Sequence, residues 1–135
     1  MSINQRKKGH DFERKVAKKL KEDLDLNKPV RRVLVQYQEK DHPDLRLGRW
    51  NIECKSYKKW FEPPSSWWKQ VLGVTGLNEF PALIYKFDNK PIRVRIKMQN
   101  LNELMIDDQQ LVDLGWDSFI YLLSNFYKED LKNFK

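Results

Sequence analysis

The chain is 135 residues long, with 40% hydrophobic and 33% charged side chains, enough for one compact domain spanning residues 1–135 and leaving no room for a second core. Twenty-six Lys and Arg against nineteen Asp and Glu give a formal charge of +7, which makes a polyanion, nucleic acid first, the partner to consider. The lone Cys54 excludes an internal disulfide and a cysteine-based zinc site, and no apolar run approaches the roughly 20 residues that span a bilayer, so neither a membrane partner nor an exported protein is expected.

From Lys8 to Leu26 the apolar positions Phe12, Val16, Leu20 and Leu24 recur every four residues, which predicts an amphipathic helix. Glu13 lies beside that stripe, so its carboxylate can reach over the edge of whatever the helix packs on. Val30 to Tyr37 is rich in β-branched and aromatic residues and reads as a strand, followed by a polar connection, Gln38 to Pro43. Asp44-Leu45-Arg46-Leu47, then Gly48-Arg49, then Trp50 to Lys55, predict two short strands joined by a tight turn. Within the second, Trp50, Ile52 and Cys54 point one way and Asn51, Glu53 and Lys55 the other, so one face enters the core and the other carries chemistry.

Ser56 to Pro64 reads as a basic, aromatic loop, and Ser65 or Ser66 is positioned to cap a helix running through Trp67, Trp68, Val71 and Leu72 towards Leu77. Ala82 to Phe87 and Ile92 to Met98 read as two further strands around the turn composition Asp88-Asn89-Lys90-Pro91. The remainder reads as helical, with Asp107 or Asp108 as a cap before Leu111 and Leu114 and a stripe of Phe119, Ile120, Leu122, Leu123 and Phe126. Lys128 to Lys135 reads as a frayed tail. The order describes one α/β domain with a mixed sheet flanked by helices.

Pro43-Asp44, eight intervening residues and Glu53-Cys54-Lys55 form the central signal, because a hairpin of that length returns Asp44 alongside Glu53. Two adjacent carboxylates are costly unless a cation sits between them, and a hard ion such as Mg²⁺ prefers an oxygen cage to which the Cys54 backbone carbonyl can add. The Cys54 thiol faces away and is a poor ligand for so hard an ion. Lys55 stands about 7 Å beyond Glu53 on the same strand face, within reach of a metal-bound water or an attacked phosphate. Phosphodiester hydrolysis needs these parts; whether Lys55 also takes a proton from the water is left open. Glu-x-Lys alone often marks an exposed strand face and Pro-Asp alone a turn, so the weight rests on their order, spacing and alternation.

Pro43-Asp44 with Glu53-Cys54-Lys55 resembles the signature of the PD-(D/E)XK nuclease superfamily, and Lys8-Gly9-His10-Asp11-Phe12-Glu13-Arg14 resembles the opening of the archaeal-type Holliday junction resolvases. The resemblance runs from about Lys7 to Met98 and includes the strand Pro81 to Phe87. It implies a restriction-endonuclease-like fold, with Glu13, Asp44 and Glu53 as the acidic metal set and Lys55 as the catalytic lysine. It also implies dependence on Mg²⁺, for which Mn²⁺ can substitute, a homodimer, and paired incisions in a four-way DNA junction. One departure is that those resolvases carry an arginine and a serine in the loop before the catalytic aspartate, whereas Gln36 to His42 holds neither; Arg31 or Arg32 is the substitute for the arginine.

Lys8, Arg14, Arg31, Arg32, Lys58, Lys59 and Lys69 are the candidate DNA contacts, and Arg46, Arg49, Arg93 and Arg95 could add to a positive groove. Tyr57, Trp60, Phe61, Trp67 and Trp68 could stack on an unpaired base at a branch point, although Trp67 and Trp68 fit core or dimer-interface filling better. Gln70, on the helix after Glu-x-Lys, sits where many enzymes of the superfamily carry an extra polar residue; the alternative is an ordinary exposed glutamine. His10 and His42 stay outside the catalytic set. The alternatives to a junction resolvase are a nuclease of the same chemistry acting on duplex, flaps or ends, and a non-catalytic DNA-binding recombination accessory. The expected compartment is the cytoplasm, or the host cytoplasm for a viral protein.

Overall fold

The computed structural model describes residues 3–33, 42–59 and 62–135. Among them α1 (Ile3–Asp23) opens the chain, starting earlier than the sequence periodicity predicts, and buries the expected stripe of Phe12, Val16, Leu20 and Leu24. One mixed sheet follows, formed by β1 (Leu45–Leu47), β2 (Trp50–Tyr57), β3 (Phe80–Phe87), β4 (Arg93–Lys97) and β5 (Leu111–Gly115) in that spatial order. β1 and β2 are antiparallel, β2 and β3 parallel, and β3, β4 and β5 successively antiparallel. The parallel pair needs a crossover, supplied by α2 (Ser65–Gly73). After β5 come α3 (Trp116–Phe126) and the short α4 (Lys128–Leu131).

Alternation along the strands divides the interior into two layers. Trp50, Ile52, Cys54, Ala82, Ile84, Val94 and Ile96 face the core shared with α1, α3 and α4. Leu83, Tyr85 and Phe87 face the other way and pack with Trp67, Trp68 and Val71 of α2. The α/β architecture with a mixed sheet flanked by helices therefore stands, as does the core role for Trp67 and Trp68.

Four expectations are corrected. Val30 to Val33 is no strand: Arg32 makes a single antiparallel bridge to Leu45, Val33 N–H donates to the Asp44 carbonyl at 3.0 Å, and the rest of the expected strand, 34–37, lies outside the described residues. Pro64, not a serine, is the N-cap of α2, and its helix stops at Gly73 rather than running towards Leu77. Leu111 to Gly115 is a strand and not a helix. Its Val112 and Leu114 alternate onto the main core, and Asp113 on the opposite face receives Arg95 Nε from β4 at 2.7 Å.

The C-terminal residues are packed instead of frayed. Leu131 is buried, and the Phe134 carbonyl accepts from the backbone N–H groups of Asn27 and Lys28. Asp130, 4% exposed, accepts from the N–H of Arg49 at 2.7 Å and from its guanidinium at 2.9 Å. That contact closes the β1–β2 turn, where Gly48 has φ +58°; a Cβ there would lie 2.5 Å from Asp130 Cβ.

Candidate active site

Four elements deliver the predicted residues to one place. Leu45 pairs with Ile52, so Asp44, immediately before β1, comes alongside the Glu53 end of β2. Its Oδ2 accepts from the Cys54 N–H at 2.8 Å, which fixes the carboxylate against the strand. Glu13 reaches the cavity from α1, between the buried Phe12 and Val16. Gln70 comes from α2 and donates from Nε2 to Glu53 Oε1 at 3.0 Å, while Lys55 Nζ lies 3.8 Å from the same oxygen. Glu13, Asp44, Glu53, Lys55 and Gln70 all line one cavity of about 240 Å³.

The electrostatics follow from burial. Glu53 is 2% exposed, and desolvation together with the Asp44 carboxylate pushes its pKa up to about 9, against a weaker pull from Lys55. Glu13 is raised as well, by burial first and then by Asp44, with Arg32 pulling the other way through a 2.7 Å bond from its Nε. Burial also pushes the Cys54 thiol far up, consistent with its place on the core face.

This donor set suits a hard divalent cation: three carboxylates share one cavity and repel one another. Each also has a partner of its own, Glu13 in Arg32, Asp44 in the Cys54 N–H and Glu53 in Gln70, and the Glu53 and Asp44 carboxyl groups meet each other as well. Among the described residues no three His, Cys, Asp or Glu side chains stand close enough together to chelate an ion as arranged. Glu13 would have to exchange Arg32 for the ion.

The candidate DNA contacts are distributed unevenly. Lys8 is paired with Asp88 at 2.8 Å, Arg14 with Asp11 at 3.2 Å and Arg32 with Glu13. Arg31, Lys58, Lys59 and Lys69 are exposed, and Trp60 and Phe61 lie outside the described residues. The further arginines considered for a positive groove are largely engaged elsewhere: Arg46 donates to Asn51, Arg49 to Asp130 and Arg95 to Asp113. His10 and Tyr57, which sequence reasoning left out of the cavity, do line it. Both were within reach of simple periodicity, His10 three residues before Glu13 on the helix and Tyr57 two beyond Lys55 on the strand face.

Residues 4–133 match the family model described as "Phage putative PDDEXK endonuclease". The chain belongs to that family. The match covers nearly the whole chain, reaching past Met98 where the motif resemblance stops, and gives a PD-(D/E)XK nuclease with a restriction-endonuclease-like α/β fold. It supports the superfamily and does not extend to the archaeal junction-resolvase subtype. The chain matches no curated protein and no solved structure significantly. No helix among the described residues is long and apolar enough to cross a membrane.

Proposed function

We propose that this nuclease is a divalent-metal-dependent endodeoxyribonuclease in which Glu13, Asp44 and Glu53, with the Cys54 carbonyl, hold Mg²⁺ and Lys55 acts on the phosphodiester. The observation that carries it is the convergence of helix, hairpin and crossover helix on one cavity that holds all three carboxylates and the lysine. An ion held by these residues would lower the pKa of a water and offset charge developing on the phosphate. Lys55 holds its ammonium beside Glu53, placed to stabilise negative charge on the attacked phosphate. Gln70 holds the Glu53 carboxyl in orientation through its 3.0 Å bond. Asp44 is fixed by the Cys54 N–H, which orients its carboxylate towards Glu53 in the cavity.

Four-way junctions are the substrate proposed, cut by a homodimer, on the strength of the Lys8 to Arg14 opening. A phage-family nuclease of this kind would meet such DNA in the host cytoplasm. The test compares cleavage of a four-way junction with that of linear duplex of the same sequence, with Mg²⁺ and with chelator. Selective, Mg²⁺-dependent cutting of the junction is expected; equal cutting of both removes the junction reading and leaves a general endonuclease. Glu53→Ala and Lys55→Ala should abolish cleavage while DNA binding persists, and wild-type rates in either variant would refute the assignment.

A further inference from the structure

Beside the catalytic cavity lies a second one, of about 210 Å³, lined by Tyr57, Lys59, Pro64 and Trp67. Tyr57 lines both. It follows Lys55 on the same face of β2, about 7 Å along the strand. Trp67 stands in the first turn of α2, three residues before Gln70, so each cavity takes part of its wall from β2 and part from α2, while Lys59 and Pro64 come from the segment that joins them.

The aromatic wall is fixed. Tyr57 and Trp67 stack with ring centroids 4.9 Å apart and planes inclined by 29°, and Trp67 stacks in turn on Phe87 at 5.9 Å and 29°. Trp67 is 8% exposed and packs into the layer beneath α2, whereas Tyr57 is half-buried and Lys59 exposed. The second cavity thus combines one ring still partly open, Tyr57, held in place by the Trp67 behind it, with one cation at its rim. At ~30 Å³ per water its volume is that of about seven waters, room for one planar base.

From this juxtaposition we infer that Tyr57, Lys59, Pro64 and Trp67 form a subsite for an unpaired nucleobase of the DNA strand under attack, next to the cleaved phosphate. The inference rests on the nuclease reading above and names the feature of a branched substrate that the site would recognise. A base within a duplex has both faces covered by its neighbours; only an unstacked one can lie against Tyr57. Lys59 pairs with the phosphate of that nucleotide, and the strand passes over Tyr57 into the catalytic cavity. Bulges, flaps and branch points offer such a base, and continuous duplex does not.

The test uses a duplex carrying a single bulged 2-aminopurine, titrated in chelator so that nothing is cut, because stacking quenches the fluorescence of this base. Wild type and Tyr57→Phe are expected to quench it. Tyr57→Leu should lose the quench and weaken binding of the bulged duplex about tenfold more than binding of a fully paired one. Lys59→Ala, a change at an exposed residue that leaves packing alone, should weaken the bulged complex severalfold. Unquenched fluorescence on wild-type binding, wild-type quenching in Tyr57→Leu, or wild-type affinity in Lys59→Ala overturns the subsite. Cleavage of the same DNA with Mg²⁺ is scored separately. Quenching without cleavage of any DNA leaves the subsite and sinks the nuclease reading; cleavage without quenching does the reverse.

Discussion

Asp130 and Arg49, 81 residues apart, meet at the turn of the hairpin that carries Asp44 and Glu53. The Asp130 side chain is 1% exposed and takes three bonds from Arg49, one of them from the backbone. Arg49 is half exposed and can recover water when its partner is lost, so the cost of Asp130→Ala falls below that of breaking a fully buried pair. We expect a loss of about 2 kcal/mol, read from the urea midpoint, mainly from the orphaned Arg49 N–H and the lost charged bonds. Gly48→Ala should cost at least as much, since it combines a positive φ with a 2.5 Å approach to Asp130 Cβ. Unchanged midpoints in both variants would show that the C-terminal segment does not brace the hairpin.

The same contact explains which parts of the molecule could be read in advance. The α1 stripe, the β1–β2 hairpin and the alternation along β2 are local patterns, and each appears where periodicity puts it. The C-terminal residues Lys128 to Lys135 are short and highly charged, and only a partner far away in sequence orders them. β5 failed for a related reason. Leu111 and Leu114, three residues apart, would share one face of a helix but fall on opposite faces of the strand, and what decides for the strand is β4, whose Arg95 donates to Asp113. In the site, Asp44, Glu53 and Lys55 follow from hairpin spacing. The Arg32 bond to Glu13 and the Tyr57 edge between two cavities depend on how separate elements dock, which no window of sequence contains.

Gln70 offers a test of positioning as distinct from metal binding. Its only role in the assignment is to orient Glu53, so Gln70→Ala should lower kcat about tenfold, the scale of one lost hydrogen bond to a charged group, with a small change in DNA affinity. Gln70→Glu should be worse, because it adds a fourth carboxylate to a cavity whose acids already repel one another. Cleavage rates measured against Mg²⁺ concentration check both variants. A full wild-type rate in Gln70→Glu would show that the Glu53 contact plays no part in turnover.

Cys54 reports on the hairpin. Its thiol is on the core face, 5% exposed as a residue, with its pKa pushed well up by burial. Alkylation of the folded protein should therefore be slow and should accelerate as urea opens the structure, following the unfolding curve measured by tryptophan fluorescence. In Asp130→Ala the same reaction should speed up at low urea if the hairpin loosens locally. Fast labelling of the native wild type would contradict the burial of β2.

Glu53 links stability to pH, and the sign is fixed by its environment. Its pKa stands near 9 in the folded chain against an ordinary value of 4.5, so the folded state holds a proton that the unfolded state releases. The contribution of Glu53 to stability is therefore fully present below about pH 4.5 and is lost as pH rises towards 9. Glu13 is shifted in the same direction and adds to the trend. Glu53→Gln removes the ionisation, so in chelator the variant should unfold at a higher temperature than wild type at pH 8, with the difference shrinking as pH falls to 5. Adding Mg²⁺ at pH 8 should raise the wild-type midpoint by stabilising the ionised carboxylates, and should raise that of Glu53→Gln much less. On the proposed assignment, Glu53 costs stability that a bound ion would return. Thermal scans of both proteins across pH 5 to 8, with and without Mg²⁺, decide the matter: a wild type as stable as Glu53→Gln at pH 8 in chelator would show that Glu53 ionises freely.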